Sequence, residues 1–222
     1  FSPDGRLIVF EKGAGGHLLS DRWSKLTGVF RIPASGGAMT KVTDTGAAPH
    51  FGAASDRVFL NRRVDNAQRL VSVTIDGFDE RVHASGDMAI EFIVSPKGDH
   101  VAFRESHAAY VMPMTPGPQN IAGGKAASAV PVIRASEGGS TWLNWSGDGA
   151  QLNWSLGPTL YSARLADMIP AAPKPPKMEG AEEAPAYKPP TQGVSLSMRR
   201  RADAPGGRLA LVGARVISMA DE

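Results

Sequence analysis

The stretch Phe1-Ser2-Pro3-Asp4-Gly5-Arg6-Leu7-Ile8-Val9-Phe10 decides the fold, because it returns three times along the chain. A worn copy reads Phe51-Gly52-Ala53-Ala54-Ser55-Asp56-Arg57-Val58-Phe59-Leu60. The third is Val94-Ser95-Pro96-Lys97-Gly98-Asp99-His100-Val101-Ala102-Phe103 and the fourth Trp145-Ser146-Gly147-Asp148-Gly149-Ala150-Gln151-Leu152-Asn153-Trp154. From Phe1 to Phe51, Val94 and Trp145 the steps are 50, 43 and 51 residues. Each copy has one physical logic. An apolar residue ends a strand; Pro presets φ, Asp bonds its own backbone and Gly accepts φ > 0, so the chain turns. A short apolar strand follows, and Leu7-Ile8-Val9-Phe10 is apolar on both faces, as a strand covered on both sides should be.

Working outward, each unit supplies further strands. Val29-Phe30-Arg31-Ile32, Leu70-Val71-Ser72-Val73, Ala109-Tyr110-Val111-Met112 and Leu160-Tyr161-Ser162-Ala163 read as second strands. The first two run into glycine turns at Ser35-Gly36-Gly37 and Asp76-Gly77. Third strands are Met39–Thr43 and Glu80–His83, delayed in the third unit to Val130–Ile133 by an insertion, Pro116–Ser128. Fourth strands, Pro49–Phe51, Ile90–Ile93 and Trp142–Trp145, lead into the next unit. Four short strands recurring every 40–50 residues, with little helical periodicity, predict an all-β fold. They predict a partial β-propeller: about three and a half four-stranded blades in an open arc. A β-sandwich with coincidental spacing is the competing reading.

The pattern stops near Leu165. Residues 170–193 carry seven prolines among Lys, Glu, Ala and Gly, which predicts an extended, solvated linker. Val194–Met198 then alternates like a half-buried strand, and Leu209–Met219 also reads as strand. The expected domains are 1–168 (blades), 169–193 (linker) and 194–222 (one or two strands of a second unit). Opening on Phe rather than Met, with no leader pattern, the chain is expected to be an internal piece of a longer one. Open blade edges would then make it marginally stable or self-associating.

Composition excludes several functions. The 222 residues carry 24 Lys+Arg against 22 Asp+Glu, a net +2 that gives no bulk charge for nucleic acid. No apolar run approaches the ~20 residues of a membrane helix, so no transmembrane segment is expected. There is no cysteine, hence no disulfide, thiolate metal site or cysteine nucleophile.

Ser-Pro-Asp-Gly before an apolar strand resembles the WD-like repeat of TolB-type propellers, and Val29–Thr43 looks like that family's third strand, Gly-Gly turn and fourth strand. The resemblance covers roughly residues 1–165 and implies fold more than function. Leu209-Ala210-Leu211-Val212-Gly213-Ala214-Arg215-Val216-Ile217-Ser218-Met219 resembles the opening strand of the amidohydrolase superfamily, and Trp154–Tyr161 the last propeller unit of proteins that fuse the two. The resemblance implies a metal-dependent amidohydrolase, with a divalent, zinc-type metal held by a C-terminal barrel beyond this chain. It also implies a periplasmic or secreted location. The propeller's expected partners are the rest of its own polypeptide, envelope proteins or a peptide-like substrate. Two alternatives stay open: a TolB-like protein-binding scaffold, and the propeller of a prolyl-oligopeptidase-like serine peptidase.

No catalytic, cofactor-binding or metal-ligating residue is expected in the chain itself. His17, His50, His83, His100 and His107 include no His-x-His pair; His50, just before a turn, is the one to test first. Asp4 and Asp148 recur in equivalent turns, with Lys97 and Ser55 replacing or shifting the Asp elsewhere, which favours backbone capping over catalysis. Gly13–Gly16 lacks the Gly-Lys-Ser/Thr ending of a phosphate loop and reads as a hairpin excursion running on through Trp23. Gly139-Ser140-Thr141 and Gly193-Val194-Ser195 lack the second glycine of a serine elbow. Glu182-Glu183 falls in the linker, and Arg199-Arg200-Arg201 reads as a solvated rim. Trp142, Trp145 and Trp154 are expected to pack between blades rather than to form an aromatic binding wall.

Overall fold

Ser2, Ser95 and Ser146 each close the same six-residue turn, and these turns launch the strands around which the sheets form. The structure, a computed structural model, describes residues 1–13, 26–127, 130–169, 187–201, 210 and 212–213. His17, most of the Gly13–Trp23 excursion, Ser128, Glu182-Glu183 and most of Leu209–Met219 lie outside the described residues.

Four antiparallel sheets follow one another along the chain. The first joins β1 (Leu7–Lys12), β2 (Gly28–Pro33) and β3 (Thr40–Thr43) in that order. The second runs β4 (Ala47–Phe51), β5 (Arg57–Val64), β6 (Ala67–Thr74), β7 (Arg81–Gly86). The third runs β8 (Ala89–Val94), β9 (His100–Glu105), β10 (Ala108–Pro113); two further strands, β11 (Gln119–Ala122) and β12 (Lys125–Ala126), leave it before β13 (Ile133–Arg134) completes its edge. The fourth is β14 (Thr141–Trp145), β15 (Gln151–Leu156), β16 (Thr159–Arg164) and, after the single helical turn α1 (Leu165–Met168), β17 (Val194–Ser195). The all-β partial propeller expected from the repeats is the observed architecture. The sheets are offset from the repeat units: the strand that ends one unit opens the next sheet. These opening strands touch in sequence, β4 against β8 and β8 against β14.

Three apolar layers separate the four sheets. Val29 and Val42 meet Val58, Leu60, Val71 and Val73 in the first. Leu70 and Ala84 meet Phe92, Val101, Phe103 and Met112 in the second. Ala102, Ala109 and Val111 meet Leu143, Leu152 and Trp154 in the third. Because a strand alternates its side chains, one face of each sheet serves the layer before it and the other the layer after it. Each fully buried Val, Leu, Ile, Phe or Met side chain here contributes roughly 1.5–3 kcal/mol through burial, the alanines less.

Three strand expectations need correction. The insertion does more than delay the third blade: β11 pairs in parallel with β7, Gln119 opposite Ala84 and Ile121 opposite Gly86, so it lies on the second sheet. The strand expected at Val130–Ile133 is only Ile133–Arg134, paired with Val111 and Tyr110; Pro131 cannot donate to a ladder. Val194–Met198, expected as a half-buried strand opening a new unit, pairs only at Val194–Ser195, which stand exposed on the edge of β16 opposite Leu160 and Thr159.

Candidate functional site

The recurrent turn serves structure. In each intact copy the serine N–H donates to the carbonyl five residues on, and that residue's N–H donates back to the serine Oγ. The latter distances are 2.9 Å for Leu7 to Ser2, 3.2 Å for His100 to Ser95 and 2.9 Å for Gln151 to Ser146. Gly5, Gly98 and Gly149 sit at φ of 72°, 70° and 68°, the left-handed region only glycine enters cheaply. Each serine hydroxyl donates to an aspartate: Ser2 to Asp4 at 2.5 Å, Ser146 to Asp148 at 2.6 Å, Ser95 to Asp99 at 2.7 Å. In the third copy, where Lys97 stands in the usual place, Asp99 does the work two positions later. The Ser2 hydroxyl and the Arg6 N–H hold the Asp4 carboxyl below the usual range; the Ser146 hydroxyl and the Ala150 N–H do so for Asp148. Burial pushes Asp99 up, but bonds from His100 and Ser95 leave it lowered. The second copy forms no such ring. Ser55 instead accepts a 3.2 Å bond from the Asp4 N–H of the neighbouring turn.

His50, the first histidine to test by sequence, is engaged at both nitrogens. The Val94 N–H donates to Nε2 at 3.0 Å, which fixes the ring proton on Nδ1, bonded to the Ala48 carbonyl at 2.8 Å. Burial holds its pKa below the ordinary value despite the Ala48 bond. It is a staple between β4 and β8. Asn61 does the same from β5, bonding the Phe92 carbonyl at 2.8 Å and N–H at 2.7 Å. His107, at φ 122°, contributes its carbonyl, which accepts from the Ser140 N–H and hydroxyl at 2.7 and 2.9 Å. That places Ser140 in a loop anchor, not an elbow. His100 Nδ1 lies 3.0 Å from its neighbour Asp99.

The tryptophans divide. Trp154 is buried and stacks on Tyr161 at 6.0 Å; Trp145 Nε1 donates to the Ile93 carbonyl at 3.1 Å, tying β14 to β8. Trp142 overturns the packing expectation. It is 85% exposed at φ 54°, inside a bulge where Thr141 and Asn144 of β14 face Ser155 and Asn153 of β15. The extra residue re-aims the side chain away from the layer. Of the basic rim, Arg199 and Arg201 are exposed.

A cluster that sequence reading passed over sits on the outer half of the second sheet. Arg57 Nη1 donates to the Ser72 Oγ at 3.0 Å and to the Asp79 carbonyl at 2.9 Å, and Nη2 binds the Asp79 carboxylate. Arg81 meets the same carboxylate at 2.6 Å, so the Arg81 bond and then that of Arg57 hold Asp79 low. Ser72 Oγ lies 2.7 Å from His83 Nε2. Arg57 can only donate, and the Ser72 hydroxyl keeps both a proton and a second lone pair for His83, so the His83 ring proton is on Nδ1 when Ser72 donates and on Nε2 when it accepts. Burial first, then the Arg57 and Arg81 charges, lower the His83 pKa. Ser72 is fully buried and so is no nucleophile for an outside substrate. No sequence signal marks it, because His83 lies in a bulge that only the register reveals: Leu70 faces Ala84 while Val71 faces Val82.

Among the described residues no group of three or more His, Cys, Asp or Glu is placed to hold a metal ion, and no helix is long and apolar enough to cross a membrane. No family model matches the chain, and no curated protein matches it. Among solved structures it is similar to a chain in the crystal structure of a nidogen/laminin complex, at 12% identity and a TM-score of 0.43, over 62% of this chain and 52% of that one. This chain thus spans about half the length of that match.

Proposed function

We propose that the chain is the non-catalytic propeller portion of a metal-dependent amidohydrolase that cleaves amide or other C–N bonds in a C-terminal barrel. The propeller gates substrate or docks partners at the periplasmic or secreted location the resemblance implies. The observation that carries this reading is the sequence Leu209–Met219, with its Gly213-Ala214-Arg215, following propeller units and a proline-rich stretch. The turn aspartates support an accessory role, because their oxygens are spent on the turns. The described residues offer no donor set that fits a zinc-type ion. The test is to sequence the source DNA past the codon for Glu222. A His-x-His after the next few strands, with hydrolysis lost on chelation by the encoded protein, sustains the reading. A stop codon moves the function to a TolB-like scaffold, and a Gly-x-Ser-x-Gly to a serine peptidase.

A further inference from the structure

The inserted strand β11 lies along β7 only from Ala84 to Gly86. Before Gln119 the two chains part: Pro116 and Pro118 have no N–H to pair, and Gly117 turns at φ 84°. The fork leaves a groove of about 580 Å³ between Arg81-Val82-His83 and Met114-Thr115-Pro116. Met114 and Pro116 give it apolar walls, while the Val82 side chain packs into the layer on the other face of the sheet. Its polar groups are hydrogen-bond donors or can serve as such. Arg81 is 60% exposed and holds Asp79 through one nitrogen, with the rest of its guanidinium available. His83 presents a proton at Nδ1 when Ser72 donates to its Nε2. The Thr115 Oγ1 is buried with no hydrogen-bond partner among the described residues, a state that costs free energy until an acceptor arrives. Two guanidinium groups, Arg57 and Arg81, face the one carboxylate of Asp79, so the cluster keeps one net positive charge.

We propose that this groove is a binding site for a carboxylate carried on an apolar body, the carboxylate meeting Arg81, His83 and Thr115 and the body lying along Met114 and Pro116. A bulge at His83, just before β11 joins β7, is what turns a side chain of an otherwise regular strand to such a use. The site is independent of the amidohydrolase reading and stands or falls without it.

Hexanoate titrated into the chain, followed by ¹H–¹³C NMR at the His83 ring and Thr115 methyl, tests it. Saturable shifts at both residues are expected, with none from hexanol, the uncharged analogue. Arg81→Gln weakens binding about tenfold, the scale of one lost charge-assisted contact. Thr115→Val weakens it severalfold, and exposed Arg63→Gln leaves it unchanged. Acetyl-Ala-Leu with a free C-terminus, compared with its amide, tells a peptide terminus from a free acid as the source; a preference for the free carboxylate sustains the site. Absence of saturable shifts, equal binding of hexanol, or Arg81→Gln and Thr115→Val binding like the parent overturns it. Should Arg81→Gln fail to fold, the hexanol and Thr115→Val results decide.

Discussion

The turns at Ser95–His100 and at Phe51–Arg57 occupy equivalent places in neighbouring sheets, yet they are held by different forces. The first is a ring of hydrogen bonds: Ser95 bonds His100 both ways, the Gly98 N–H donates to the Ser95 carbonyl at 2.8 Å, and Asp99 takes the hydroxyl. The second lacks that ring and is held by close packing. A Cβ added to Gly52 would come within 3.0 Å of Phe59 Cε2 and 3.4 Å of Val94 Cγ1. One geometry can thus be kept by directional bonds or by shape, and the two should fail under different substitutions.

The largest effect expected from this contrast is at the packed turn. Gly52→Val drives a branched side chain into Phe59 and Val94, costing up to about 3 kcal/mol in denaturant melts; a loss under about 0.5 kcal/mol would mean that the turn is looser than its contacts imply. At the bonded turn, Ser95→Ala strands the His100 N–H and takes the serine hydroxyl from Asp99, which keeps its His100 contact, and should cost about 2 kcal/mol. Gly98→Ala, forced to stay at φ 70°, should cost about 1 kcal/mol by the same assay. Acid separates the two further. Asp4, Asp99 and Asp148 are lowered in the fold, so their contribution is whole above the unfolded carboxyl pKa near 3.9 and is lost as pH falls through the folded values. Thermal scans from pH 5 to pH 2 should therefore show a shallower decline for the Asp99→Asn variant than for the parent. The smallest effect is at Ser55→Ala, below about 0.5 kcal/mol, since its bond to Asp4 is exposed.

The sequence made the strands and turns legible because their chemistry is local: a serine, a proline or aspartate and a glycine act within six residues. What it hid depends on register. A single extra residue in β14 turns Trp142 outward while Trp145 and Trp154, of the same chemistry, pack inward. Likewise a bulge at His83 is invisible in Arg81-Val82-His83-Ala84, which reads as plain alternation. The pairing of β11 with β7 was illegible for another reason. Nothing in Gln119–Ala122 states which edge it will meet; the answer lies in Glu105, whose carboxylate on β9 binds the Gly123 N–H at 3.0 Å and the Gly124 N–H, fixing the inserted turn. For the candidate site, the aspartates of the turns could be dismissed from spacing alone. The Arg57–Ser72–His83 cluster gathers residues from three strands and has no spacing to read.

The crossing of β11 onto the second sheet also bears on how the arc comes apart. Sheets that touch only their neighbours can unravel from either end, one after another. Here the third sheet sends a strand back over the second, and Ile121 of that strand sits in the layer the two share. Neither sheet can open without stripping an edge from the other, so these two blades should melt as one cooperative unit between more independent ends. Hydrogen exchange would show it as a single protected block spanning β5 to β11.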